Sequence, residues 1–141
     1  MTDQPLHGVA VARRCTCGWR GVWITGPSGV GKSDLALRLI SRGWRLVADD
    51  YAHVFASGGA AWATPAPRIG GLIEARGVGV LPACALGLVR LDLVVALTAE
   101  AIERLPDPSV TRLAGVAVPS LRLRGFEASA PEKVALALAA L

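Results

Sequence analysis

The chain has 141 residues, 52% of them hydrophobic and 18% charged, which suits one domain with a buried core and excludes general disorder. Fifteen Lys and Arg against eleven Asp and Glu leave a formal charge of +4, a mild preference for anionic ligands. Arg90, Asp92 and the turn residues cut every apolar run short of the roughly 18 residues a bilayer needs, which excludes a membrane-spanning helix.

Residues 1–141 are read as a single domain. Its start, Met1-Thr2-Asp3-Gln4-Pro5, has neither a basic region nor an apolar segment of the secretory kind, so a cytoplasmic location is expected. Gly8–Ala12 and Arg20–Thr25 are short β-branched stretches on either side of a Cys/Gly turn, and predict an antiparallel hairpin. Cys15-Thr16-Cys17 is too tight for a zinc knuckle and has no Cys/His pair to complete it, so reduced thiols are expected. After the glycine-rich Gly26–Gly31, Leu35, Leu39 and Ile40 recur at helical spacing in Ser33–Arg42, with Asp34 in the first turn and Gly43 as the stop.

Trp44–Ala48 predicts a buried strand ending at Asp49-Asp50. Tyr51–Ala56 and Ala60–Thr64 predict a hairpin across Ser57-Gly58-Gly59, followed by a Pro-rich loop toward Gly71. Leu72–Gly79, Leu88–Leu97 and Val116–Leu123 each read as one strand, and Ala99–Leu105 as a short polar helix or turn. Ser129-Ala130-Pro131-Glu132 has the form of a capping box opening a C-terminal Ala/Leu helix. The thirteen Arg are scattered without interleaved aromatics, unlike a nucleic-acid platform, so no nucleic-acid or membrane partner is expected. The pattern is an α/β domain with more antiparallel strand than a doubly wound nucleotide fold.

Gly26-Pro27-Ser28-Gly29-Val30-Gly31-Lys32-Ser33 fits G-x-x-x-x-G-K-[ST], between a strand and a helix as that motif requires. Backbone N–H groups freed by the glycines and by the helix start would surround phosphate oxygens. Lys32, one of only two lysines, would reach the β/γ-phosphates, and the Ser33 hydroxyl would bind Mg²⁺. Asp49 and Asp50 alternate in direction at a strand end, so one carboxylate can face the phosphates and the other the metal shell or solvent. Glu74 and Arg76, two apart on one predicted strand, would share a face. The chain contains no Asn, and Gln4 is its only Gln. It therefore lacks both the guanine-reading motif and the water-positioning glutamine of GTP switches, and no protein-kinase signature set is present.

These residues together resemble the catalytic domain of HPr kinase/phosphorylase. The resemblance rests on His7-Gly8-Val9, the Gly26–Ser33 loop, Arg45-Leu46-Val47-Ala48-Asp49-Asp50 and Ile73–Val80, then Glu103-Arg104-Leu105 and Gly115–Pro119, in the family's order. It implies a mixed sheet with flanking helices around a P-loop, and a Mg·ATP-dependent kinase acting on a serine of an HPr-like phosphocarrier. It also implies a homo-oligomer. Within it, Asp50 would take the proton of the target serine, with His7 near it. Lys32 and Arg104 would stabilise phosphate charge, and Ser33 with Glu74 would hold Mg²⁺. Without the resemblance, His7 reads as a surface residue.

The chain looks like a short, catalytic-domain-only form similar to those of α-proteobacteria. Pro27 stands where the family's loop usually carries an acidic residue, and Asp34 where Glu is common. The family's Pro-Gly-Arg-Asn stretch, tied to phosphorolysis, is replaced by Arg124-Gly125-Phe126-Glu127, which favours the kinase direction. Two rival readings keep the same loop: a small-molecule kinase with the Pro65–Gly71 loop as a lid, and an ATP-sensing module without transfer.

Overall fold

A computed structural model describes residues 5–66 and 71–141. Eleven strands and two helices follow one another among the described residues. β1 (Leu6–His7), β2 (Val9–Cys15) and β3 (Gly18–Thr25) lead into α1 (Lys32–Ser41). Then come β4 (Arg45–Ala48), β5 (Tyr51–Ser57), β6 (Ala60–Pro65), β7 (Leu72–Ala75) and β8 (Gly79–Pro82). β9 (Val89–Leu97), β10 (Ser109–Leu113), β11 (Val116–Leu123) and α2 (Ala130–Ala139) complete the chain.

Nine of the strands form one mixed sheet, with β1-β5-β6-β9-β3-β2-β4 as its path and β11 and β10 joined at β9. β9 lies parallel to β3 on one side; on the other, Val89 and Arg90 pair with β6 and Val94–Leu97 run parallel to β11. Because β4 and β3 both run antiparallel to β2, the C-terminal ends of β4, β3, β9 and β11 all reach the same edge. Ligands of sheets with parallel strands gather at such an edge.

Strand periodicity divides the core in two. Val9, Val11, Val22, Ile24, Leu93 and Val95 face α1 and α2, where Leu35, Leu39, Val134 and Leu138 complete a buried layer. Ala10, Ala12, Trp23, Val94, Ala61 and Ala63 lie in the second layer, on the opposite face. Side chains of alternating direction on one strand produce this division. Arg20 bridges the layers' rim, donating to Asp92 at 3.3 Å and to the Leu138 carbonyl at 2.9 Å. No helix among the described residues is long and apolar enough to cross a membrane.

Three expectations are corrected and one strand is added. Leu72–Gly79 is a hairpin arm and its turn, because Gly77 (φ +86) reverses the chain and Val78 N–H closes onto the Ala75 carbonyl at 3.0 Å. Ala99–Leu105 forms no helix, and its exposed start is held by Glu100 N–H donating to Thr98 Oγ1 at 3.1 Å. Ser109–Leu113 is an additional strand that pairs antiparallel with β11. Ser129 makes no side-chain cap on α2, and Glu132 reaches across to Arg42 at 3.3 Å instead. The arginines also find rings: Arg14 and Arg45 both lie over Trp19, at 5.7 and 5.5 Å. The Pro65–Gly71 loop falls partly outside the described residues.

Candidate active site

The loop Gly26–Gly31 leaves the end of β3 and turns directly into α1. Gly31 sits at the helix start with φ +101, a conformation open to glycine and strained for other residues. The segment after β11 packs on this loop backbone to backbone, since a Cβ at Gly125 would stand 2.8 Å from the Val30 carbonyl. Arg38, on α1, fastens that segment by donating to the Gly125 and Glu127 carbonyls, the latter at 3.0 Å. Its guanidinium also pairs with Asp34 one turn earlier.

An open cleft of about 260 Å³ lies against the loop and α1, bordered by β1, Asp50 at the β4–β5 junction and the β7–β8 hairpin. Lys32 is buried and its Nζ donates to the carbonyls of Gly26 at 2.8 Å and Pro27 at 3.1 Å. An ammonium taken from water needs such partners. Ser33 Oγ donates to Asp49 Oδ1 at 2.6 Å, and Asp49 Oδ2 accepts the Glu74 backbone N–H at 3.0 Å. Asp49, only 7% exposed, thereby ties α1 to the hairpin that carries Glu74 and Arg76.

The neighbouring carboxylate has a different environment. Asp50 has φ +75, and this left-handed step breaks the strand between β4 and β5. Its side chain is 62% exposed, and Oδ1 lies 2.8 Å from His7 Nε2. His7 is delivered by two-residue β1, which pairs with β5 at His7↔Tyr51, while Gly8 N–H donates to the Asp50 carbonyl at 2.9 Å. The Tyr51 ring lies 5.2 Å from the imidazole. One carboxylate is therefore buried and doubly hydrogen-bonded, the other exposed and held by an imidazole.

His7, Ser28, Gly29, Gly31, Lys32, Ser33, Asp50 and Glu74 all line the cleft, with Asp49 joined to them through Ser33. Gly26 and Pro27 contribute their carbonyls to Lys32, and Val30 is buried beneath the loop. Arg76 reaches the cleft from the hairpin turn, not from the strand face shared with Glu74. Arg104 is exposed between β9 and β10 and is not among the cleft-lining residues. Arg38 and Phe126 went unnoticed in the sequence; the one signal was the change from the family's stretch at Arg124–Glu127. Asp49→Ala is expected to cost about 2 kcal/mol, because it leaves the Glu74 N–H and Ser33 hydroxyl without their acceptor. Urea denaturation measures this.

The model of the HPr serine kinase C-terminal domain matches residues 2–124 of this chain. The chain is 40% identical over 114 residues to HPr kinase/phosphorylase of Lactiplantibacillus plantarum, covering 78% of this chain and 35% of that protein. It is 41% identical over 114 residues to that of Lacticaseibacillus casei strain BL23, with 78% and 34% covered. The chain thus spans about a third of the length of these curated relatives. The solved structure of the HPr(Ser) kinase/phosphatase from Coxiella burnetii superposes with a TM-score of 0.81 at 21% identity, over 97% of this chain and 95% of that one. That likeness shows the fold, a mixed sheet with flanking helices.

Proposed function

The chain belongs to the HPr serine kinase C-terminal domain family, and from that premise we propose that it is a P-loop kinase transferring the γ-phosphoryl group of ATP to a serine of an HPr-like phosphocarrier. The observation that supports this most is the separation of the two adjacent carboxylates. Asp49 is spent on Ser33 and Glu74, while Asp50 stays exposed beside the loop with one oxygen held by His7.

The residues fit the nucleotide and its metal. Gly26–Ser33 would cradle the phosphates with backbone N–H groups at the start of α1. Ser33 gives its hydrogen to Asp49, which leaves an oxygen lone pair for a cation, and Glu74 would complete the protein's share of that site. When bound, Mg²⁺ screens the charge of the β- and γ-phosphate oxygens. With Nε2 protonated, His7 donates to Asp50 Oδ1 and leaves Oδ2 for an incoming hydroxyl. Asp50 then takes the serine proton as the serine oxygen bonds to the γ-phosphorus, the bond to the β-bridging oxygen breaks, and ADP leaves. Lys32 balances the transferred charge.

The same reading carries a homo-oligomer in the cytoplasm, with Arg104 acting on phosphate charge and with no nucleic-acid or membrane partner. The test is transfer of labelled γ-phosphate from Mg·ATP to a purified HPr-type phosphocarrier. Label on a serine is expected. ATP binding without transfer to the phosphocarrier overturns the acceptor assignment and favours a sensing module or a small-molecule acceptor. Adding inorganic phosphate to the labelled product and assaying pyrophosphate then reads the reverse direction.

A further inference from the structure

Phe126 is a large apolar side chain left 67% exposed on a segment otherwise tightly fixed. Its ring lies against Gly31, where even a Cβ would stand 3.1 Å from it. Arg38 holds the backbone on both sides of it, through the carbonyls of Gly125 and Glu127. Glu127 is further tied to Lys133 at 2.6 Å, a hydrogen bond that holds its carboxyl below the ordinary range. An exposed ring on so constrained a backbone is presented, not merely tolerated.

Its place along the sheet edge gives the ring a use. Neighbouring strands run β4-β2-β3-β9-β11 across the sheet. Asp50 follows β4, the phosphate-binding loop follows β3, and Phe126 follows β11. The loop therefore lies between the proposed base and the ring. A triphosphate seated in the loop with its γ-phosphoryl toward Asp50 extends its nucleoside to the opposite side, where Phe126 stands. We propose that Phe126 is the platform on which the nucleotide base stacks. The inference rests on the P-loop reading above. The acidic group and both carbonyls beside the ring are already paired, so recognition comes from the π face, which every base has.

The test is calorimetric titration of the full chain with Mg·ATP, Mg·GTP and Mg·tripolyphosphate. Phe126→Ala is expected to weaken ATP and GTP about ten- to hundredfold, the usual range for a lost base–aromatic stack, and to leave tripolyphosphate within twofold of wild type. Phe126→Trp is expected to keep nucleotide affinity, and Phe126→Leu, which keeps packing on Gly31 but offers no π face, to behave like Phe126→Ala. Unchanged ATP affinity in Phe126→Ala overturns the proposal. So does a parallel loss of tripolyphosphate affinity, which makes the ring a prop for the loop. Wild type that binds neither ATP nor tripolyphosphate removes the P-loop reading itself, and this inference with it.

Discussion

Asp50→Asn is expected to lower phosphotransfer to the phosphocarrier by about 10²–10⁴-fold, the usual contribution of a positioned proton acceptor, while Mg·ATP affinity stays within about twofold of wild type. The substitution is a narrow one. Asn tolerates the left-handed backbone better than most residues, so the φ of +75 at this position is preserved. Its amide oxygen still accepts from His7 Nε2, which now stands 2.8 Å from Asp50 Oδ1. The basic oxygen that would take the serine proton is what disappears. Initial rates of label transfer, beside calorimetry with Mg·ATP, separate chemistry from binding. Near-normal transfer by the variant removes Asp50 from the role of base.

Lys32→Met is expected to lose binding and transfer together, in contrast to Asp50→Asn. Loss of one preorganised donor at a developing negative charge costs about 10²–10³-fold in rate, and ground-state affinity for the triphosphate should fall as well. Methionine fills much of the space of the buried lysine but leaves the Gly26 and Pro27 carbonyls, now 2.8 and 3.1 Å from Nζ, without their donor. Those groups lie in a partly exposed loop, where water can replace the ammonium. The unfolding midpoint should therefore move little. Lys32→Arg is expected to fail as well, because a planar guanidinium cannot replace a compact ammonium capping two adjacent carbonyls. A Lys32→Met protein with full ATP affinity and full transfer contradicts the charge-neutralising role.

The elements around the loop were legible because local signals agreed. A β-branched strand, the Gly26–Gly31 spacing and Leu35, Leu39 and Ile40 at helical intervals all pointed to strand, loop and helix. The β7–β8 hairpin is not legible because Leu72–Gly79 passes for one strand, with Gly77, the reversal point, looking like a strand glycine. Ser109–Leu113 was hidden behind Pro106 and Pro108, with Val110 64% exposed, so no buried alternation marked it. Strand alternation pointed to a split between Asp49 and Asp50, but both lie beyond the end of β4 and Asp50 turns the chain with φ +75. The split therefore has another cause, and the partners were not legible. Ser33 is sixteen residues from Asp49, and His7 is 43 from Asp50. Contacts at such separations are set by sheet order. His7 is exposed, as a surface reading has it; only the family resemblance, and no local pattern, placed it beside the carboxylate.

The imidazole that steadies Asp50 is carried by the shortest strand of the sheet, two residues paired at its outer margin. Detaching Leu6 and His7 breaks two ladder positions and exposes little apolar surface, since both are already exposed. Such sub-global openings cost far less than global unfolding. On heating, turnover would therefore decline before the sheet melts, and it would return on cooling. Endurance of activity in this molecule would then be set by how firmly β1 stays zipped to β5, and only secondarily by the strength of its core.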